Sequence, residues 1–466
     1  MHFNFSLKEP TDYAIVIGVA IPVGFVIIGV VIFLLFKRKT NKSNTPYQLP
    51  LSLINSDSAY TSEPRTESSA PQTVDYLSSI FFEEHSSDHL LQQHSTIFEP
   101  VIVPIRRQNE PIHRNISVDL RAQIVNFSRA SKREIRRYMF EIGDQIGKGT
   151  FGNVFKGHIV GLHHQYSKTT VAIKAINGQK SEKELDFMLK EIKIMNHISP
   201  NLNLVSMVAS CTSDFEEHGN LWLILEFCQY GDLKNFIKLN SSEILTGSNI
   251  DTINHRCLIM WAFDVANGMQ HLEEKKIMHG DLAARNVLVS ENPIQGGYPI
   301  AKVADFGLSK ELNDSLIYRK ESRVEVPWRW MALEYLVDRY FTLKSDVWSF
   351  GVLFWEILSL GRIPYGQQRY EQLIIELKSD YRLPCPDGLE SIIAWSPEIV
   401  FDKVAKLCFI ANPNERGTFS DLVKLISEEL TLEELCFYSQ IKEDYKHNCA
   451  EHYLNLSSKP YLNVIP

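Results

Sequence analysis

The first 210 residues of this 466-residue chain contain no cysteine; all seven cysteines, from Cys211 to Cys449, lie beyond them and none has Cys-x-x-Cys spacing. That excludes a disulfide framework or a zinc-knuckle array and leaves reduced cytosolic thiols. A basic excess is also missing: 48 Lys and Arg face 56 Asp and Glu, a formal net charge of -8. Nucleic acid is therefore excluded as the main partner, because phosphate-backbone binding needs a concentrated positive surface. Internal repeats are absent too, so the chain is not a solenoid. What is present, 44% hydrophobic and 22% charged residues, describes a globular protein with a sizeable core, longer than one ordinary domain.

Residues 14–36 form an uncharged, largely apolar run of 23, which at about 1.5 Å per residue crosses a hydrocarbon layer of roughly 30 Å. The run is too long for a signal peptide, and Lys8 before it is offset by Glu9 and Asp12. The expectation is a transmembrane helix over residues 13–36. Lys37, Arg38, Lys39 and Lys42 follow at once and place all later residues in the cytoplasm, with residues 1–12 as an extracellular stub. So short a stub cannot fold into a ligand-binding domain. Residues 37–138 are rich in Ser, Thr, Pro, Gln and Glu with weak apolar periodicity, which predicts a mostly disordered juxtamembrane linker. Within it, residues 97–105 are apolar but hold two prolines that bar a central strand, and Lys132, Arg133, Arg136 and Arg137 read as a solvated basic flank.

Near residue 139 the pattern changes to short alternating strands, one amphipathic helix and a longer, mainly helical region. Gly147-Lys148-Gly149-Thr150-Phe151-Gly152 matches G-x-G-x-x-G, and the alternation of Asn153 to Gly157 after it predicts a strand rather than a helix. The glycines then sit in a hairpin turn, where backbone N–H groups can approach phosphates without an intervening Cβ. Residues 171–176 read as a buried strand with Ala172 and Lys174 on one face. Leu185, Met188, Leu189, Ile192 and Met195 repeat at helical spacing, with Glu191 on the edge of their face. Alone, such a lysine or glutamate is ordinarily a solvated flank charge. Further on come His279-Gly280-Asp281-Leu282-Ala283-Ala284-Arg285-Asn286 and then Asp305-Phe306-Gly307. A carboxylate, an amide five residues on and a second carboxylate before a glycine form a nucleotide-and-metal constellation.

Taken in order, these motifs resemble the protein kinases over about residues 140–430, and Ala283-Ala284-Arg285 resembles the tyrosine-specific branch, since Ser/Thr kinases usually carry Lys-Pro-Glu there. Pro327 to Glu334 and Ser345 to Gly351 extend the likeness, and Val208-Ala209-Ser210-Cys211-Thr212 suggests the growth-factor-receptor type. The resemblance implies an α+β, two-lobed kinase domain over residues 139–430: N-lobe 139–225, hinge 226–230 and C-lobe 231–430. It implies ATP and Mg2+ as cofactors, Asp281 as base, Arg285 beside the transferred phosphate, Lys174 paired with Glu191, and Asn286 and Asp305 as metal ligands. The nucleotide would lie among Ile146, Gly147, Lys148, Gly149, Thr150, Phe151, Gly152, Val154, Ala172, Lys174, Leu225, Glu226, Cys228, Arg285 and Leu288. Glu334 would pair with a later arginine, Arg416.

Three positions depart from the family pattern. Gly280 stands where arginine usually pairs with a phosphorylated activation-loop residue, while Leu333 replaces the usual proline and Gly417 another, both as loop or packing changes from which no loss of activity is inferred. Tyr318 remains in the loop as a phosphorylation candidate. In the tail, residues 431–466, Tyr453-Leu454-Asn455 and Tyr461-Leu462-Asn463 repeat one pattern that resembles phosphotyrosine sites read by SH2 adaptors. The chain thus resembles a single-pass receptor-type tyrosine kinase of the plasma membrane, its N-terminus outside. Expected partners are tyrosine-bearing substrates, SH2 adaptors and a second receptor chain in a dimer.

Overall fold

The computed structural model describes residues 116–149, 152–161, 167–176, 181–246, 253–294, 297–312, 318–319, 327–388 and 395–453. The apolar run 14–36, the segment 97–105 and Tyr461 lie outside them. Among the described residues no helix is long and apolar enough to cross a membrane.

Five antiparallel strands, β1 (Phe140–Gly149), β2 (Gly152–Val160), β3 (Lys168–Ile176), β4 (Met207–Cys211) and β5 (Leu221–Glu226), form one sheet in the order β1-β2-β3-β5-β4. Helix α1 (Val118–Ala130) precedes the sheet, while α2 (Glu182–His197) and the short α3 (Asp214–His218) are inserted into it. One sheet face buries Phe140, Ile159, Val171, Ile173 and Ile224 with Met139 and Val208. Residues of opposite parity on β3 and β5, such as Ile176, Leu221 and Leu223, join the core that contains α2. Period two along β3 therefore decides which residues reach α2.

The second lobe is helical: α4 (Leu233–Leu239), α5 (Ser241–Thr246), α6 (Arg256–Glu274), α7 (Leu333–Asp338), α8 (Leu343–Leu358), α9 (Tyr370–Lys378), α10 (Pro397–Cys408), α11 (Phe419–Ser427) and α12 (Leu432–Tyr453). Helices α6 and α8 are apolar nearly all round and form its centre, burying Trp261, Phe263, Trp348, Phe350 and Phe354. Short strand pairs hold the loops between them: β6 (Ile277–Met278) with β9 (Lys310–Glu311), β7 (Val287–Ser290) with β8 (Ile300–Val303), and β10 (Tyr318–Arg319) with β11 (Tyr340–Phe341). Arg416, fully buried, makes a two-pronged contact with Glu334 at 2.9 and 3.0 Å. Leu333 takes the first position of α7 after Ala332, a place where proline is favoured but not required.

The structure moves both edges of the domain outward. Composition predicts a mostly disordered linker through residue 138, yet residues 118–130 form α1, capped by Ser117, whose Oγ accepts the N–H of Leu120. Leu120 and Ile124 are buried in the main core, with Phe127 packed beside them. Lys193 of α2 donates to Gln123 at 2.9 Å. Arg133, expected on a solvated flank, is buried and donates to the Met207 carbonyl at 3.1 Å. At the other edge, the expected tail from residue 431 begins with α12, whose Tyr438, Ile441 and Tyr445 are buried. In both places a few apolar or aromatic residues dock the helix, a signal too sparse to outweigh the polar composition.

If α1 belongs to the folded body, Ile124→Ala lowers stability by about 2–5 kcal/mol in urea unfolding, as for other buried aliphatic truncations. A loss under about 0.5 kcal/mol, the level of a surface change, would return the segment to a linker.

Candidate active site

The site begins with the register of β3. Lys174 lies opposite Val154 of β2 and Leu223 of β5, on the side of the strand away from Val171 and Ile173. Its Nζ donates to both carboxylate oxygens of Glu191, at 2.7 and 2.8 Å, and to Asp305 Oδ1 at 3.3 Å. Glu191 is delivered by α2, which starts at a capping box between Ser181 and Glu184 and turns Leu185, Met188, Leu189, Ile192 and Met195 into the core. Burial alone would lower the lysine's pKa, but the carboxylates of Glu191 and Asp305 outweigh it and raise it, so the ammonium stays charged.

Asp281 follows β6 in a loop suspended from α8. The Asp346 carboxylate accepts the backbone N–H groups of His279 at 2.7 Å and of Gly280 at 2.9 Å. Gly280 has φ +77°, a conformation that costs glycine little and other residues more. A Cβ there would meet the Leu308 carbonyl oxygen at 3.2 Å. His279 is wholly buried, which pushes its pKa down to about 4 and keeps it neutral. Its Nε2 donates to the Ala304 carbonyl at 3.0 Å, so its Nδ1 accepts the Asp281 N–H at 3.2 Å. One imidazole thereby ties the Asp281 loop to the backbone just before Asp305.

The Asp281 side chain is gripped from two sides. Asn286 Nδ2 donates to its carboxylate at 2.8 Å and to its carbonyl at 2.7 Å, and Arg285 donates to its other carboxylate oxygen. Burial, opposed by Arg285 and Asn286, pushes the Asp281 carboxyl up to about 6. The Arg285 guanidinium lies 4.4 Å from the centre of the Trp330 ring. Glu356 of α8 accepts both Trp330 Nε1, at 2.8 Å, and the Ala284 N–H, at 2.9 Å. Arg285, Trp330 and the loop backbone thus form one connected surface.

Asp305 sits in the left-handed region, φ +61°, heading the short turn Phe306–Leu308. Burial works against its charge, but Lys174 holds the carboxyl below the usual carboxylate range. Its side chain is 45% exposed, in contrast to Lys174 and Glu191. Both Asn286 contacts to Asp281 are made by Nδ2, which leaves Oδ1 as the atom that residue can offer a cation. Two oxygen donors of this kind fit a hard divalent ion that keeps water and phosphate ligands.

The glycine segment forms the expected hairpin: Gly147 pairs with Val154, Lys148 with Asn153 and Gly149 with Gly152. Thr150 and Phe151 lie outside the described residues. Gly152, φ +152°, could not carry a Cβ, which would stand 2.7 Å from the Ala175 carbonyl oxygen. Ile146 is exposed on β1. Ala172 faces Leu225 across β3 and β5, while Cys228 packs with Val205 and Ala304 against Leu225 and Leu288. Glu226 differs from the others: its carboxylate accepts the Ser206 N–H at 2.6 Å and pairs with Lys302 at 3.2 Å.

The structure therefore gathers Lys174, Glu191 and Asp305 into one contact set and Asp281, Arg285 and Asn286 into another, joined by His279. No sequence motif marks Asp346 and Glu356 as supports, although two acids in the apolar helix α8 are a signal that buried backbone donors await them. The side chain of Tyr318 lies outside the described residues; its backbone pairs with Phe341. Tyr453 ends α12.

The comparisons agree with this geometry. The model of the protein tyrosine and serine/threonine kinase family matches residues 140–426. The chain is 36% identical over 298 residues to a fibroblast growth factor receptor of Strongylocentrotus purpuratus, covering 62% of this chain and 29% of that one. It is 32% identical over 396 residues to vascular endothelial growth factor receptor 3 of Danio rerio, covering 75% and 27%. A fibroblast growth factor receptor of Halocynthia roretzi is 30% identical over 364 residues, covering 73% and 44%. The chain thus spans less than half the length of these relatives. With a family match across both lobes and the paired lysine, glutamate and aspartates between them, the chain belongs to the protein tyrosine and serine/threonine kinase family.

Proposed function

We propose that this chain is a single-pass membrane protein-tyrosine kinase of receptor type, transferring the γ-phosphoryl group of ATP to tyrosine hydroxyls. The observation that carries the reading is the closed Lys174–Glu191 pair reaching Asp305, beside Asp281 held by Asn286 and Arg285. In it, Lys174 would hold nucleotide phosphates, and the glycine hairpin would cover them with backbone N–H groups. Asn286 and Asp305 would ligate magnesium, which supplies neutralisation of phosphate charge. Asp281 would orient the tyrosine hydroxyl and take its proton. Preference for tyrosine is supported by Ala283-Ala284-Arg285 and by Trp330, whose ring carries Arg285 beside the base. The apolar run 14–36 with its basic flank supports the membrane placement, and relatives named as receptors agree with it. Dimerisation and recruitment of SH2 adaptors at Tyr453 and Tyr461 complete the reading.

Given Mg-ATP and mixed Tyr, Ser and Thr peptides, the purified chain phosphorylates tyrosine alone, and Asp281→Asn lowers kcat by about 10²-fold or more. Nucleotide binding without transfer would make the chain a scaffold instead. Because the base must be ionised and the Asp281 carboxyl is raised to about 6, kcat/KM is level above that pH. It falls about tenfold per unit below it; a profile flat down to pH 5 would remove Asp281 from the role. With Gly280 in place of a phosphate-pairing arginine, Tyr318→Phe costs under about tenfold in activity, and a hundredfold loss would contradict this account. Peptides phosphorylated at Tyr453 or Tyr461 bind SH2 adaptors more tightly than unphosphorylated ones; equal binding would discard that part.

A further inference from the structure

Helix α12 is bound to the corner where the lobes meet by two tyrosines. Tyr438, Ile441 and Tyr445 follow at spacings of three and four and share one face. Arg256 anchors the start of the helix, donating to both oxygens of Glu434 at 2.8 and 2.6 Å and to the Glu429 carbonyl at 3.0 Å. Tyr438 is 5% exposed; its hydroxyl donates to Asn203 Oδ1 at 2.6 Å and its ring meets Phe263 edge-on. Tyr445 is 8% exposed; its hydroxyl lies 2.8 Å from Ser206 Oγ, and Lys302 Nζ stands 4.4 Å from its ring centre. The same Lys302 pairs with Glu226 at 3.2 Å, and Glu226 also accepts the Ser206 N–H. The last residue of β5 is therefore linked to the helix through one serine and one lysine.

This seat fits a neutral phenol. A phosphate on the Tyr445 oxygen would bring a charge of about -1.5 to -2 and three acceptor oxygens against a serine hydroxyl, beside the Glu226 carboxylate. Lys302, a cation beside it, is already shared between Glu226 and the Tyr445 ring. Burial leaves the oxygens little water, so the charged form is excluded from the docked state.

We propose that α12 is a detachable latch on the hinge strand and that Tyr445 is a phosphorylation site whose modification releases it. Phosphoryl transfer takes place on the released helix: the Tyr445 oxygen forms a P–O bond as the bond to departing ADP breaks, and the phenolic proton passes to the acting kinase's carboxylate. The proposal rests on the kinase reading for its signalling sense alone, since the latch needs no catalysis by this chain.

Hydrogen exchange on the full-length chain tests it. Tyr445→Glu speeds exchange of the amides in 432–446, 203–208 and 224–230 by about tenfold or more over Tyr445→Phe, which keeps the ring uncharged. Equal exchange in the two variants overturns the proposal, as does a loosened helix with unchanged hinge amides. Should Tyr445→Glu fail to fold, Arg256→Ala is the second variant, loosening the anchor far from the catalytic residues. With Mg-ATP and a separate purified tyrosine kinase, it takes up phosphate at Tyr445 about fivefold faster than the parent chain, and an unchanged rate overturns the latch whether or not this chain is itself active.

Discussion

Lys174 is a cation enclosed by protein, and the active site is arranged around the cost of keeping it there. Removing an ammonium and a carboxylate from water costs several kcal/mol for each ion, recovered only when they meet in good geometry. Glu191 supplies two short contacts and Asp305 a third. Each partner comes from a different element: β3 by its register, α2 by its capped start and apolar face, and the turn at Asp305 by a left-handed backbone. Shifting β3 by one residue would turn Lys174 to the opposite face of the sheet. Rotating α2 by one residue, about 100°, would carry Glu191 away and leave the ammonium without its main partner. The interaction thus reports whether sheet, helix and turn are correctly placed together.

The Asp281 loop solves a different problem, since it must hold a carboxylate partly starved of water without neutralising it completely. Arg285 and Asn286 favour its charge while burial opposes it, and the balance leaves its pKa at about 6. Polar groups of the loop backbone are met from below by Asp346 and Glu356, acids placed on the apolar helix α8. Gly280 belongs to this arrangement in a way unrelated to phosphate recognition. Residue 280, whose N–H Asp346 accepts, has φ +77°, and glycine adopts that angle without strain. An arginine would bring a side chain for an incoming phosphate and, with it, backbone strain. The substitution exchanges one property for the other.

Much of this was legible in the sequence because its chemistry is local. The glycine hairpin, the alternating β3 and the apolar spacing of α2 each declare themselves within about ten residues, and each element lies where its pattern predicts. Less legible were contacts whose reason lies far away in the chain. Asp346 accepts from residues 66 and 67 positions earlier, and nothing beside it in sequence says so. The Lys302–Glu226 pair joins the hinge to the second lobe across 76 positions of the chain, and neither residue has its partner nearby in sequence. The edges of the domain are hidden for a similar cause: α1 and α12 are polar helices that bury two and three of their described residues, so their order comes from the surface they meet rather than from their own composition.

Those two helices bear on the same part of the molecule. Helix α1 packs Leu120 and Ile124 in the core that holds α2, with Gln123 bonded to Lys193, while α12 grips Asn203 and Ser206 in the segment that leads from α2 into β4. The position of α2 decides whether Glu191 meets Lys174. Of these segments from outside the family match, which begins at residue 140 and ends at 426, α1 therefore touches the helix on which the buried ion pair depends, and α12 touches the stretch that follows that helix. Even a small shift of α2 would be felt at the pair, because a Coulomb interaction shielded from water weakens steeply once a solvent molecule can enter between the charges.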